Sequence, residues 1–197
     1  MDKTTYFLDT EFIEDGKTID LISIGIVSKE GRQYYACNDE CDLSRANDWV
    51  KANVLPLLPS KHIGVNPGNP DVSPGVRQDI LTWKMKDEIA KDILKFCDPS
   101  KYGRPEFWAN YAAYDWVVFC QLFGRMIDLP DGYPMYCKDI QQLSDDLDRP
   151  DDLPAQTSGQ HNALEDALHN RELFIALSEL KIIKQVLAIT DSLPSQE

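Results

Sequence analysis

Between residues 4 and 37, three runs rich in β-branched and aromatic side chains (TTYFLDT, TIDLISIGIVS and RQYYAC) are separated by Asp15-Gly16 and by Glu30-Gly31. Connections this short join only antiparallel neighbours, because parallel strands need a crossover of about a dozen residues or more. The chain therefore opens as a three-stranded antiparallel meander, and a βαβ start is excluded.

Downstream the periodicity changes. Trp49, Val50, Val54 and Leu58 recur at helical spacing, which predicts a short helix within residues 43–58, capped by Ser44 and interrupted by Pro56 and Pro59. Residues 59–75 (PSKHIGVNPGNPDVSPG) read as a long surface loop carrying His62, a residue type that is usually only solvated in such a place. Apolar positions at Ile80, Leu81, Trp83, Ile89, Ile93, Leu94 and Phe96 predict one helix over 76–97, with Lys84, Lys86, Lys91 and Lys95 on its solvated face. A buried strand at 106–110, a helix over 114–127, a short strand at 135–140, a helical turn or two in 140–148 and an amphipathic helix over 162–180 complete the order. A meander followed by strands alternating with helices predicts an α/β protein with a mixed five-stranded sheet, antiparallel meander plus parallel strands, flanked by helices. Residues 1–190 are expected to form a single domain, and residues 191–197 (DSLPSQE) a flexible tail.

A 43% hydrophobic content supports a core of that size. The net charge of −13 argues against coating long duplexes through phosphate neutralisation, so a nucleic-acid substrate would be gripped locally, at a short single-stranded end. No apolar stretch approaches the roughly 20 residues of a membrane span, and a soluble protein without an export signal is expected. The five cysteines are odd in number and irregularly spaced; they read as reduced thiols in the cytoplasm, and Cys37 with Cys41 lacks the partners of a structural zinc site.

Three short motifs carry chemistry. In FLDTEF, Asp9 and Glu11 are two residues apart on a strand and so share one face, where two enclosed carboxylates need a compensating cation; hard oxygen donors favour Mg²⁺ or Mn²⁺. Taken alone, the pair could as well lie on a solvated face. In WANYAAYDWVVF, Asp115 stands where a strand runs into a helix, a position that the helix dipole also favours for a merely structural acid. In HNALEDA, a five-residue step turns about 140° around a helix, so His161 and Asp166 cannot share a helical face. His161 is expected in the loop just before the helix, with Asp166 in its first turns.

In that order and on those elements, DxE, (Y/F)D at a helix start and HxAxxDA resemble the three motifs of the DEDDh 3′-5′ exonuclease superfamily, built on the ribonuclease H-like fold. YFLDTEFIEDGKTIDLISIGIV, GRQYYA, WVKANVLPLLP, AYDWVVFCQLFG and HNALEDA are similar to the polyadenylate-specific exoribonuclease (RNase AS) family over most of the chain. The resemblance implies two Mg²⁺ ions, with Mn²⁺ as a substitute, held by Asp9, Glu11, Asp115 and Asp166, and His161 as general base. It also implies release of nucleoside 5′-monophosphates from single-stranded RNA 3′ ends, adenosine-rich ones among them, and a homodimer. Thr10, Phe12 and Ile13, beside the first motif, are the expected substrate contacts; Trp116 could stack on a base but is equally well explained by packing. One departure is that many superfamily members carry Asn four residues before the second-motif Asp, where this chain has Tyr111, with Asn110 one residue earlier. A DNA-directed exonuclease with the same catalytic set and a non-catalytic nucleic-acid-binding module on the same fold are the rival readings.

Overall fold

The computed structural model describes residues 2–62 and 64–191. The opening meander is β1 (Lys3–Glu14), β2 (Ile19–Ser28) and β3 (Gln33–Asn38). There follow α1 (Asp48–Asn53), α2 (Pro74–Thr82), β4 (Trp83–Lys84), α3 (Lys86–Phe96), α4 (Pro99–Tyr102) and β5 (Arg104–Ala109). Then come α5 (Ala113–Gln121), β6 (Lys138–Asp139), α6 (Ile140–Asp145) and α7 (Ala163–Asp191).

The sheet is mixed and six-stranded, in the order β4-β3-β2-β1-β5-β6. Five strands were expected; the sixth, β4, is two residues long and pairs parallel to β3 through Cys37–Trp83 and Asn38–Lys84. It breaks the helix expected over 76–97 into α2 and α3. Of the lysines expected on that helix's solvated face, Lys91 and Lys95 are exposed, pairing with Asp87 and Asp92, whereas Lys84 and Lys86 are partly buried and pair with Asp92 and Asp20. Three further boundaries move. Asn47, not Ser44, caps α1, its side chain accepting from the Val50 N–H. The helix expected over 114–127 ends at Gln121, and that expected over 162–180 runs on to Asp191. Of the expected tail, residues 192–197 lie outside the described residues.

Alternation along β1 sorts the core into two layers. Tyr6 and Leu8 point to one face, where Ile89 and Ile93 of α3 and Phe119 of α5 close over them together with Phe107 of β5. Phe7 points to the other face and meets Phe174 of α7, which belongs to a smaller cluster with Ile140, Leu143, Leu173 and Leu177. A third cluster joins Ile13 and Ile22 to Val50 and Val54 of the α1 segment. Among the described residues no helix is long and apolar enough to cross a membrane. All five cysteines are free thiols, and burial pushes those of Cys37 and Cys41 up to about 11.

Candidate active site

β1 and β5 run parallel only from Lys3–Arg104 to Phe7–Trp108, and β5 stops at Ala109. Beyond that point the free edge of β1 needs new partners. Asp115, in the first turn of α5, supplies one: its Oδ1 accepts from the Thr10 backbone N–H at 2.8 Å and from the Thr10 hydroxyl at 2.7 Å. The start of α5 is itself fixed by Asp139 on β6, whose carboxylate accepts from Ala112 N–H and from Gln141 N–H. An acid near a helix start thus serves as a clamp between α5 and β1.

On β1 itself, Asp9 and Glu11 are two residues apart and project side by side. Asp9 pairs across the sheet with Gly25, and a Cβ built on Gly25 would lie 2.1 Å from the Ala163 carbonyl oxygen. The missing side chain lets the first turn of α7 rest directly on β2, beside the two acids. The Asn162 side chain caps that turn by accepting from the Leu164 and Glu165 N–H groups, and Asn170 ties the next turns down by donating to the Leu8 carbonyl. Asp166 is thereby carried to Glu11. One ligand atom each from Glu11, His161 and Asp166 lies within 4.8 Å of the others.

His161 precedes the capping Asn162 and adopts φ +68°, a left-handed conformation costly for a residue with a side chain. Its backbone N–H donates to Asp166 Oδ2 at 2.9 Å, while Gln156 donates to Asp166 Oδ1 at 2.5 Å. Histidine and aspartate sit five residues apart in sequence and meet because only the aspartate is helical. The cleft they share is lined by Asp9, Asn110, Gln156, Gln160, His161, Asp166, His169 and Asn170.

The electrostatics of this cleft are those of crowded anions. Burial, then repulsion from Asp115, Asp166 and Glu11, raises Asp9 well above the usual carboxylate range. Burial, then Asp166 and Asp115, pushes Glu11 up to about 8. Asp115 is also raised, by burial first, against the lowering hydrogen bonds from Thr10. Asp166 is raised by burial, which the Gln156 and His161 donors oppose. Four carboxyls from three distant segments therefore feel one another, a condition that a divalent cation relieves.

The residues expected to contact substrate fare unequally. Thr10 is buried and committed to Asp115 through both of its donors. Ile13 is 3% exposed inside the third cluster, so the next outward step of the strand alternation is spent on packing rather than on a ligand. Phe12 is half-buried and stacks on the exposed ring of Tyr114, with centroids 5.8 Å apart. Trp116 lies in the core, stacked on Phe119. His62 is bonded to Asp79. Asn110 lines the cleft although it stands five residues before Asp115, because Tyr111 takes φ +56° and turns outward. Gln156, which donates to Asp166, and Asp139, which holds the start of α5, escaped sequence reasoning; Gln156 sits in a polar stretch with no periodic signal, and Asp139 on a strand only two residues long.

Comparison with known proteins defines the class. The model of the 3′-5′ exoribonuclease Rv2179c-like domain matches residues 71–177, more than half of the chain, including Asp115, His161 and Asp166. Two relatives, the 3′-5′ exoribonuclease Rv2179c of Mycobacterium tuberculosis strain H37Rv and the 3′-5′ exoribonuclease MT2234.1 of strain CDC 1551, are each 40% identical over 162 residues, covering 82% of this chain and 86% of theirs. One chain in the structure of the yeast NOT1 MIF4G domain co-crystallized with CAF1 aligns with 91% of this one over 80% of its own length, at 13% identity and a TM-score of 0.44. The protein is an enzyme of the 3′-5′ exonuclease class. It belongs to the Rv2179c-like 3′-5′ exoribonuclease domain family.

Proposed function

We propose that this enzyme is a divalent-metal-dependent 3′-5′ exoribonuclease of the DEDDh type, on a ribonuclease H-like fold, that trims single-stranded RNA to nucleoside 5′-monophosphates. The observation that carries the reading is the meeting of Glu11, His161 and Asp166 within 4.8 Å of one another, with Asp9 lining the same cleft and Asp115 close enough to raise both Asp9 and Glu11. RNA as the substrate rests on the relatives' activity, adenosine-rich ends and a homodimer on the resemblance to the RNase AS family, and a cytoplasmic location on the free thiols.

The donor set fits such a metal: anionic oxygens dominate it, and burial, reinforced by their mutual repulsion, favours their protonated forms unless positive charge is added. Two Mg²⁺ ions, or Mn²⁺ in their place, would be held by the four carboxylates and would supply charge neutralisation and Lewis acidity at the scissile phosphate. His161 takes the proton of the attacking water, a task suited to an imidazole at neutral pH. Although its nitrogen stands within ligand distance of Glu11 and Asp166, hard cations prefer the carboxylates, which leaves the imidazole for proton transfer. Thr10 keeps Asp115 aimed at the cleft. Phe12, backed by Tyr114, offers a flat apolar surface for the terminal nucleotide.

The test is mononucleotide release from matched single-stranded RNA and DNA oligonucleotides, with Mg²⁺, with Mn²⁺ and with chelator. Activity on RNA that needs the metal and vanishes in Asp115→Ala is expected. Equal rates on DNA would overturn the RNA assignment, and release that survives Asp115→Ala would overturn the site. Sedimentation at assay concentration tests the homodimer.

A further inference from the structure

We infer that Trp49 is a positioning residue for His161: its indole fixes the imidazole over the cleft, an inference that rests on the base role proposed above. Trp49 stands in a run of apolar residues whose spacing suggests a buried helix face, yet it is 53% exposed while its neighbour Val50 is 7% exposed. An indole left half in water on an otherwise packed helix needs a reason, and the structure supplies one contact. The Trp49 and His161 rings meet edge to face, with centroids 4.8 Å apart and planes at 79°. That is the geometry in which aromatic quadrupoles attract.

The contact is built from the catalytic strand outward. Two residues beyond Glu11, Ile13 packs with Val50 and Val54, so β1 itself seats α1. Asn47 caps α1 by accepting from Val50 N–H at 2.8 Å, and Asn53 donates to the Trp49 carbonyl at 2.8 Å. Trp49 is thus held at the first turn of a helix registered to the same strand as Asp9 and Glu11. From the other side, the His161 backbone is held at φ +68° by its N–H bond to Asp166. That bond fixes the backbone but leaves the ring free to turn about its own side-chain bonds. No side-chain hydrogen bond is seen for the imidazole among the described residues, so the indole is what limits its swing. A base confined to the reactive geometry loses less on reaching the transition state than one that must first be found there.

Four arms test this. Trp49→Leu should lower kcat by about 10-fold or more with KM changed less than about twofold, since misplacement of a catalytic group of the order of an ångström costs up to about 100-fold. Trp49→Phe, which keeps a ring, should recover most of that loss. In the His161→Ala background, Trp49→Leu should have no further effect, because a residue that acts only through the imidazole has nothing left to act on. In the metal-free protein, the Cε1 proton resonance of His161, one of three histidines, should shift in Trp49→Leu while that of His62 stays in place. This last readout needs no turnover, so it stands even where the nuclease reading fails, and that failure would show as an inactive wild type. A rise in KM with kcat held would reassign Trp49 to nucleotide stacking; that result, an equal loss in the His161→Ala background, or an unmoved His161 resonance overturns the inference.

Discussion

Replacing Glu11 by glutamine should make the metal-free protein more stable while removing its activity. A carboxyl raised in the folded state binds its proton more tightly there than in the unfolded chain, so stability falls with rising pH between the two pKa values. For Glu11 that interval runs from its ordinary 4.5 to about 8. Relative to an uncharged isostere, the penalty is absent below 4.5, grows through neutrality and is complete above about 8. At pH 7, 2.303RT per pH unit across the part already traversed comes to roughly 3 kcal/mol. For a chain of this length that corresponds to about 6–12 °C in melting temperature. The assay is thermal unfolding of wild type and Glu11→Gln in chelator, at pH 5 and pH 8. The variant should melt higher at pH 8, with the gap nearly closed at pH 5. Added Mn²⁺ should raise the wild type more than the variant, since ligand binding to the folded state stabilises by mass action and the variant lacks one anionic donor. A variant no more stable than wild type at pH 8 in chelator, or an advantage that persists unchanged at pH 5, would refute the claim that crowded anions strain the cleft.

Three further outcomes follow from the geometry. His161→Ala should lower kcat by about 100- to 10,000-fold, the ordinary contribution of a general base, while circular dichroism and melting temperature stay near wild type. Gly25→Ala places a methyl 2.1 Å from the Ala163 carbonyl oxygen and must lift the start of α7, costing about 1–3 kcal/mol or more by overpacking; activity measured well below its melting point should fall further than stability does, because Asp166 moves with the helix. Thr10→Val removes the hydroxyl from Asp115 but leaves the backbone N–H, and loss of a buried hydrogen bond to a charged group should cost about 1.5–3 kcal/mol in thermal unfolding. The same variant should need more metal for half-maximal turnover, which metal titration of the rate reads directly.

The parts of the fold that could be read in advance are those in which local chemistry and tertiary packing agree. Asp15-Gly16 and Glu30-Gly31 leave the meander no alternative connection, and all three of its strands form where alternation places them. Where a partner decides, the sequence alone misleads. Trp83 and Lys84 continue a helical pattern, but the exposed edge of β3 claims their backbone and the helix breaks there. The last helix shows the converse: its apolar positions continue past residue 180 as Ile182, Ile183, Val186 and Leu187, all more than half exposed, because the helix outruns the sheet it packs against. Helix-forming residues such as Leu, Lys, Gln and Ala sustain it without burial.

The candidate site divides along the same line. Asp9 and Glu11 were legible because a strand's period of two determines which side chains share a face, and His161 with Asp166 because a helix's period forbids their sharing one. Asn110 was not: counted from Asp115 it is one residue too far, and only the left-handed turn at Tyr111 takes up the extra residue and returns the amide to the cleft. Gln156, in a loop, and Asp139, on a two-residue strand, were invisible for a related reason, since such a side chain finds its carboxylate or helix start only after distant strands have been brought together. Gly25 connects the two cases. Within a strand of isoleucines and leucines it looks like a weakness, yet the absent Cβ is what allows the first turn of α7 to close on β2 and bring Asp166 within reach of Glu11. Regular elements announce the anions they carry, whereas the distance between those anions is set by a close contact that no periodicity reveals. Charge repulsion and packing are therefore opposed at that contact, and any substitution that loosens it should relieve the anions and disable the cleft together.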